Sequence, residues 1–203
     1  MGRKRNKLQG QIFSFIICFL FIENVNAASI EDNIDNHKNQ FQTIALKIWN
    51  HAELGYQENQ SSELLANALE KEGFTITRGV AGIPTAFIAE YGSGGPVIGI
   101  LGEFDALPGL SQTTSPFKEI ADNTSGGGHA CGHHLFGASS AWASVAIKEW
   151  LVESKTEGRI RFYGTPAEEG GSGKVYMVRD GLFNDVDIVL HWHPDDNNSA
   201  NSK

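Results

Sequence analysis

Between residues 31 and 52 the apolar positions Ile34, Phe41, Ile44, Ala45, Ile48 and Ala52 recur at spacings of mostly three, four and seven, which predicts an amphipathic helix. A second helix is predicted over 59–72. Leu64, Leu65, Ala68 and Leu69 line one face of it, and Gly73 stands where a left-handed residue would end it. The pattern then shortens to β-like runs at 74–78, 85–91 and 96–101. Gly92-Ser93-Gly94-Gly95 joins the last two and reads as a hairpin turn. A loop rich in Gly, Ser, Thr and Asn covers 108–128. It is followed by a helix at 135–153, a strand at 159–163, a short helix at 173–180 and a strand at 187–191. Strands alternating with helices predict an α/β/α sandwich with a mostly parallel sheet.

The N-terminus breaks this pattern. Arg3, Lys4, Arg5 and Lys7 precede an 11-residue apolar run, 12–22, which is too short to span a bilayer as a helix but suits a signal-peptide core. Val25-Asn26-Ala27 supplies small residues for cleavage. The expected organisation is a signal peptide at 1–27, part of a catalytic domain at 28–194, and a polar tail at 195–203. Secretion or export to a periplasm follows, with no stable membrane association after cleavage.

Charge narrows the function classes. The 203 residues hold 16 Lys+Arg and 24 Asp+Glu, a net charge of -8. Cleavage after Ala27 would remove four bases and Glu23, leaving -11. A nucleic-acid binder needs cation-rich faces to displace phosphate counterions, so that class is excluded. Cleavage also removes Cys18 and leaves Cys131 alone, unable to form an internal disulfide. Cys131 is then an inert thiol, a nucleophile or a metal ligand.

Candidate chemistry lies at three strand ends, where open α/β sheets bind ligands. Glu103 and Asp105 follow the run 97–101. They fit either a solvated strand end or a carboxylate that orients a metal-bound histidine. His129, Cys131, His133 and His134 fall within six residues, after three glycines. Thiolate and imidazole are both good zinc donors. The competing arrangement, Cys131 as nucleophile beside a histidine, explains only one of the histidines. Glu168-Glu169 follows the strand 159–163, and adjacent carboxylates repel unless a cation holds them. The downstream Gly170–Lys174 stretch is no phosphate loop, because Glu168 and Val175 stand where Gly and Ser/Thr are needed. His191-Trp192-His193-Pro194 ends the last predicted strand and adds another imidazole.

Five segments in order resemble the zinc aminoacylase/carboxypeptidase superfamily of metallopeptidases, in its amidohydrolase branch: Ala52 to Glu58, Gly102 to Gly109, Gly128 to His134, Pro166 to Gly171, and His191 to Pro194. The double histidine after Gly132, and Gly-Glu-Phe-Asp at 102–105, favour the aminobenzoyl-glutamate type over the hippurate type. The resemblance implies hydrolysis of the amide of an N-acyl (aroyl) amino acid such as p-aminobenzoyl-glutamate, with two divalent ions, zinc or manganese. It implies Cys131, His133, Glu169 and His191 as ligands, Glu168 as general base and Asp105 as the orienting aspartate. His129 is expected to support the ligands from behind and His134 to pack, and His193 is a weaker candidate than His191.

Members of that superfamily continue into a lid and dimerisation domain, then return to the catalytic domain and supply a further histidine. This chain is therefore expected to be an N-terminal portion, with an incomplete sheet and second metal site, a homodimer only in full-length form, and no activity alone. The alternative is a non-catalytic remnant that binds metal or a partner.

Overall fold

The computed structural model describes residues 29–122 and 126–199. The expected signal peptide lies outside them. Helix α1 spans Ile30–His51. It opens on a capping box in which the Ser29 hydroxyl accepts from the Asp32 amide and the Asp32 carboxylate accepts from the Ser29 amide, both at 3.1 Å. Its buried face is Phe41, Ile44, Ala45 and Ile48, the stripe that the sequence spacing predicts. Helix α2 spans Asn59–Lys71, and Gly73 follows at φ +92°, as its place in the sequence predicts.

Five strands form the main sheet: β1 Thr75–Arg78, β2 Phe87–Ser93, β3 Val97–Gly102, β6 Gly158–Gly164 and β7 Ile188–Leu190, in the order β1-β2-β6-β3-β7. β3 runs parallel to both β6 and β7. β2 runs antiparallel to β6 and to β1, so four of the five strands point one way and β2 alone opposes them. Two-residue strands β4, Leu107–Pro108, and β5, Gly127–Gly128, form a small ladder inside the long loop.

The hairpin expected at 92–95 does not form. β2 and β3 are not neighbours, because β6 lies between them. The glycine turn instead steps across the start of β6. There a Cβ on Gly95 would sit 2.7 Å from the Glu157 carbonyl oxygen, so the crossing needs a residue without one. Glycine density marked the turn, but close approach to a third strand requires the same residues as a hairpin.

Helix α3 spans His133–Ser154, two residues earlier than expected, so His133 and His134 are helical rather than in the loop. It packs with α1 and α2 on one sheet face. Phe41, Leu65, Leu69, Phe87, Val145, Ile160 and Phe162 are among the buried residues of that core. Trp142 of α3 stacks on Phe41 at 6.2 Å between ring centroids and donates to the Ile34 carbonyl at 2.7 Å. The other face carries a single turn at Val80–Gly82 and helix α5, Gly173–Arg179, over Tyr163, Ile83, Ala86 and Met177. Helices thus cover both faces of a mostly parallel sheet, the α/β/α sandwich that the alternation predicts.

Candidate metal centre

The three parallel strands β3, β6 and β7 deliver the chemistry at their carboxyl ends. Glu103 and Asp105 leave β3, both almost fully buried. Glu168 and Glu169 occupy a four-residue helical turn, α4, Glu168–Gly171, just beyond β6. His191 and His193 leave β7. Cys131 precedes α3, and His133 is the first residue of that helix. Gly132 between them has φ +80°, and a Cβ there would lie 3.0 Å from the Pro194 side chain. A glycine is therefore what lets the segment after β7 rest on the loop before α3.

His133 is fully buried and lies at the centre. Its Nδ1 donates to Asp105 Oδ1 at 2.9 Å, with the Asp105 carbonyl oxygen at 3.1 Å. Its Nε2 faces Glu103 Oε2 at 2.9 Å, Glu169 Oε1 at 3.8 Å and Glu168 Oε2 at 4.0 Å. Close as they are, His133 Nε2, Glu103 Oε2 and Glu169 Oε1 are buried without a well-formed hydrogen bond. Buried polar atoms are ordinarily satisfied, and three converging orphans rich in negative charge call for a cation. Lys174 of α5 supplies one nearby, paired with Glu103 Oε1.

Two donor groups share His133: Cys131 with His133 and His193, and Glu103 with His133 and Glu168. In each the donor atoms lie within 4.8 Å of one another. Cys131 Sγ is 3.4 Å from His193 Nε2. His191 stands in neither group, with its Nε2 3.9 Å from Glu103 Oε1. The residue set fits divalent ions, with soft thiolate and imidazole donors beside hard carboxylates.

The electrostatics agree. Burial pushes the His133 imidazole down, but Asp105 and Glu103 outweigh it and raise it to about 10. Burial also opposes ionisation of Glu103, and His133 and Lys174 overcome that and lower it to about 2. Cys131 is pushed up to about 12, first by burial and then by Glu169, Glu168 and Glu103. A nucleophilic cysteine needs electropositive surroundings, so this acidic ring disfavours the thiol-hydrolase alternative and leaves a cation as the natural partner of Cys131.

The remaining histidines pack. His129 Nε2 meets the Ile48 carbonyl at 3.0 Å, and His134 lies edge-on to Trp49 at 4.9 Å. Burial lowers both to about 4, which keeps them neutral. Beside the ligands is a cleft of about 260 Å³ lined by Leu54, Tyr56, Asp105, Pro108, Glu169 and Gly171. Sequence reasoning gave Glu103 no role of its own, considered Lys174 only as part of a failed phosphate loop, and ranked His193 below His191. The alternation Glu103-Phe104-Asp105 could have signalled two carboxylates on one side of the strand end.

Residues 99–202 match the profile of peptidase family M20/M25/M40. The chain belongs to that family. It is 49% identical over 166 residues to a p-aminobenzoyl-glutamate hydrolase polypeptide of Escherichia coli (strain K12), covering 82% of this chain and 34% of that protein. It is 30% identical over 183 residues to the human Xaa-Arg dipeptidase, covering 82% of this chain and 38% of that one. Among solved structures it resembles a dinuclear metal-binding peptidase of the M20 family from Bacillus subtilis, with a TM-score of 0.63 and 30% identity over 79% of this chain and 45% of that one. An aminobenzoyl-glutamate utilization protein from Klebsiella pneumoniae, 16% identical with a TM-score of 0.57, shares the fold. The chain thus spans only about a third of the length of the curated relatives it matches.

Proposed function

We propose that this M20 chain carries the metal-binding part of an amidohydrolase that cleaves the amide bond of an N-acyl amino acid of the aroyl-glutamate type. One observation carries the reading: His133 Nε2, Glu103 Oε2 and Glu169 Oε1 converge, buried and unpaired, at the carboxyl ends of parallel strands. The similarity to the Escherichia coli p-aminobenzoyl-glutamate hydrolase supports the substrate class.

In this reading Cys131, His133 and Glu169 hold metal, joined by an imidazole after β7. His191 takes that place from its position in His-x-x-Pro, and His193 from its contact with Cys131. Bound divalent ions would polarise the scissile carbonyl and make water more acidic. Zinc suits the thiolate, whereas the carboxylates accept manganese.

The chain's own residues do the rest. Asp105 fixes the His133 ring so that Nε2 points at the carboxylates. Glu169 is the more buried of the adjacent pair, and its amide is anchored on Asp105. Glu168 keeps its carboxylate half exposed beside His133, where it can take a proton from the attacking water and return it to the leaving amine. Export through an N-terminal signal peptide is part of the same proposal, supported by the basic segment, apolar run and small residues before position 28.

Metal analysis after dialysis tests the site. Wild type should retain zinc or manganese that a Cys131→Ala/His133→Ala double variant loses, and equal metal content in the two would overturn the assignment. Release of p-aminobenzoate from p-aminobenzoyl-glutamate, assayed in a protein of the relatives' length that carries these residues, tests the substrate.

A further inference from the structure

Glu58 is a fully buried carboxylate to which the mechanism above gives no role. It stands immediately before α2, where a carboxylate ordinarily caps the free amides of its own helix. It makes no such bond. Its Oε1 instead accepts from the Ala167 amide at 2.8 Å, 109 residues away, and its Oε2 accepts from the Thr85 hydroxyl at 3.0 Å. Thr85 is fixed in turn, its carbonyl accepting from the Ser62 hydroxyl at 2.8 Å.

Ala167 is the residue before the Glu168-Glu169 pair. It sits at φ 56°, ψ 44°, a left-handed conformation that a residue with a Cβ avoids unless its surroundings impose it. Two residues later, the Glu169 amide donates to Asp105 Oδ2 at 2.9 Å. Backbone amides on either side of Glu168 are therefore held by separate carboxylates, Glu58 behind and Asp105 in front. Burial raises Glu58 above the ordinary carboxylate range, and the Asp105 charge adds to that, while hydrogen bonds from the backbone and Thr85 only partly offset it. A group kept buried at that cost needs donors that require it.

We propose that Glu58 is a positioning residue, whose buried carboxylate holds the Ala167 amide and thereby fixes the direction in which Glu168 and Glu169 leave the backbone. The proposal rests on the reading of those two residues as general base and metal ligand. It adds to the site a residue contributed by the start of α2, beyond the three strand ends.

The test uses the whole chain with Glu58→Asp and Glu58→Gln. Aspartate keeps the charge but is a methylene too short to reach Ala167, whereas glutamine keeps both the reach and an acceptor oxygen. Two quantities are measured: hydrogen exchange at the amides of Ala167 and Glu169 in metal-free protein, and zinc affinity by competition with a chromophoric chelator. Glu58→Asp should speed exchange at Ala167 by about tenfold or more as the turn opens locally. It should weaken zinc by about 10–100-fold, the usual scale for groups that orient ligands. Glu58→Gln should stay close to wild type in both.

Wild-type exchange at Ala167 together with unaltered zinc affinity in Glu58→Asp would overturn the proposal. So would a loss of zinc in Glu58→Gln with the Ala167 amide still protected. Should Glu58→Asp fail to fold, Thr85→Val frees only Oε2. It should loosen Ala167 in the same direction by a smaller factor, and unchanged exchange there would count against the idea. If wild type binds no zinc, the metal reading fails while the exchange data still decide the role of Glu58.

Discussion

Asp105 approaches His133 Nδ1 twice, through its carboxylate at 2.9 Å and through its own carbonyl at 3.1 Å. That pairing commits the Nδ1 proton and leaves Nε2 as the lone-pair side, facing Glu103, Glu168 and Glu169. Asp105→Asn keeps an acceptor oxygen but loses the charge that raises ligand basicity. We expect zinc affinity to fall about 10–100-fold, with the fold unchanged by circular dichroism. Chelator competition measures it, and wild-type affinity in Asp105→Asn would show that the ring needs no charged partner.

Glu168 and Glu169 are adjacent but differently placed, and they should fail differently. Glu168 is half exposed, whereas Glu169 is mostly buried with Oε1 unpaired. In a protein of the relatives' length, Glu168→Gln should retain metal and lose about 10²–10⁴-fold in turnover, because an amide cannot accept the water's proton. Glu169→Gln should lose metal first. Metal content and turnover measured on both variants decide the assignment. If both lose metal equally and recover equal activity in excess metal, the roles are misassigned.

Much of this was legible because helices carry their burial in their spacing. The Phe41–Ile48 stripe and the Gly73 stop are local signals, and α1 and α2 formed where those signals lie. Strand neighbours were not legible. Gly92 to Gly95 are as suitable for a tight reversal as for stepping over β6, and only the insertion of β6 between β2 and β3 separates the two. The site shows the same division. Cys131, His133 and the Glu168-Glu169 pair announce themselves by residue type at strand ends. Glu58 does not, since its partner Ala167 is 109 residues away and contributes only a backbone amide. His193 came forward for a similar reason: its contact with Cys131 depends on Pro194 resting against Gly132.

Phe162 of the central strand β6 is fully buried, with the Phe87 ring 5.6 Å away. It belongs to the core shared by α1, α2, α3 and the sheet. Phe162→Ala should cost about 3–5 kcal/mol, since neighbours on several elements cannot all collapse into the cavity. Urea unfolding followed by circular dichroism measures the loss. A change under ~1 kcal/mol would place Phe162 in a region that relaxes freely, contrary to its position.

The opposite sheet face depends on charge instead. Arg161 is buried and donates to both Asp185 oxygens at 2.7 and 2.9 Å, with Glu90 and the Tyr163 hydroxyl completing its contacts. Hydrogen bonds from Arg161, opposed by partial desolvation, lower Asp185 from 3.8 to about 2. Between those values the folded chain binds fewer protons at this group than the unfolded chain does. The stabilisation is therefore complete above pH 3.8 and disappears as the pH falls toward about 2. Asp185→Asn should be less stable than wild type at neutral pH by a modest amount, because Asp185 is largely exposed and solvent screens the pair. The gap between the two urea midpoints should close as the pH is lowered through that window. Arg161→Met, which leaves the acids without their cation, should remove the same acid-dependent component. A gap that stayed constant from neutral pH to pH 2 would mean that the neutral hydrogen-bonding geometry, rather than the Asp185 charge, holds Arg161 against the sheet.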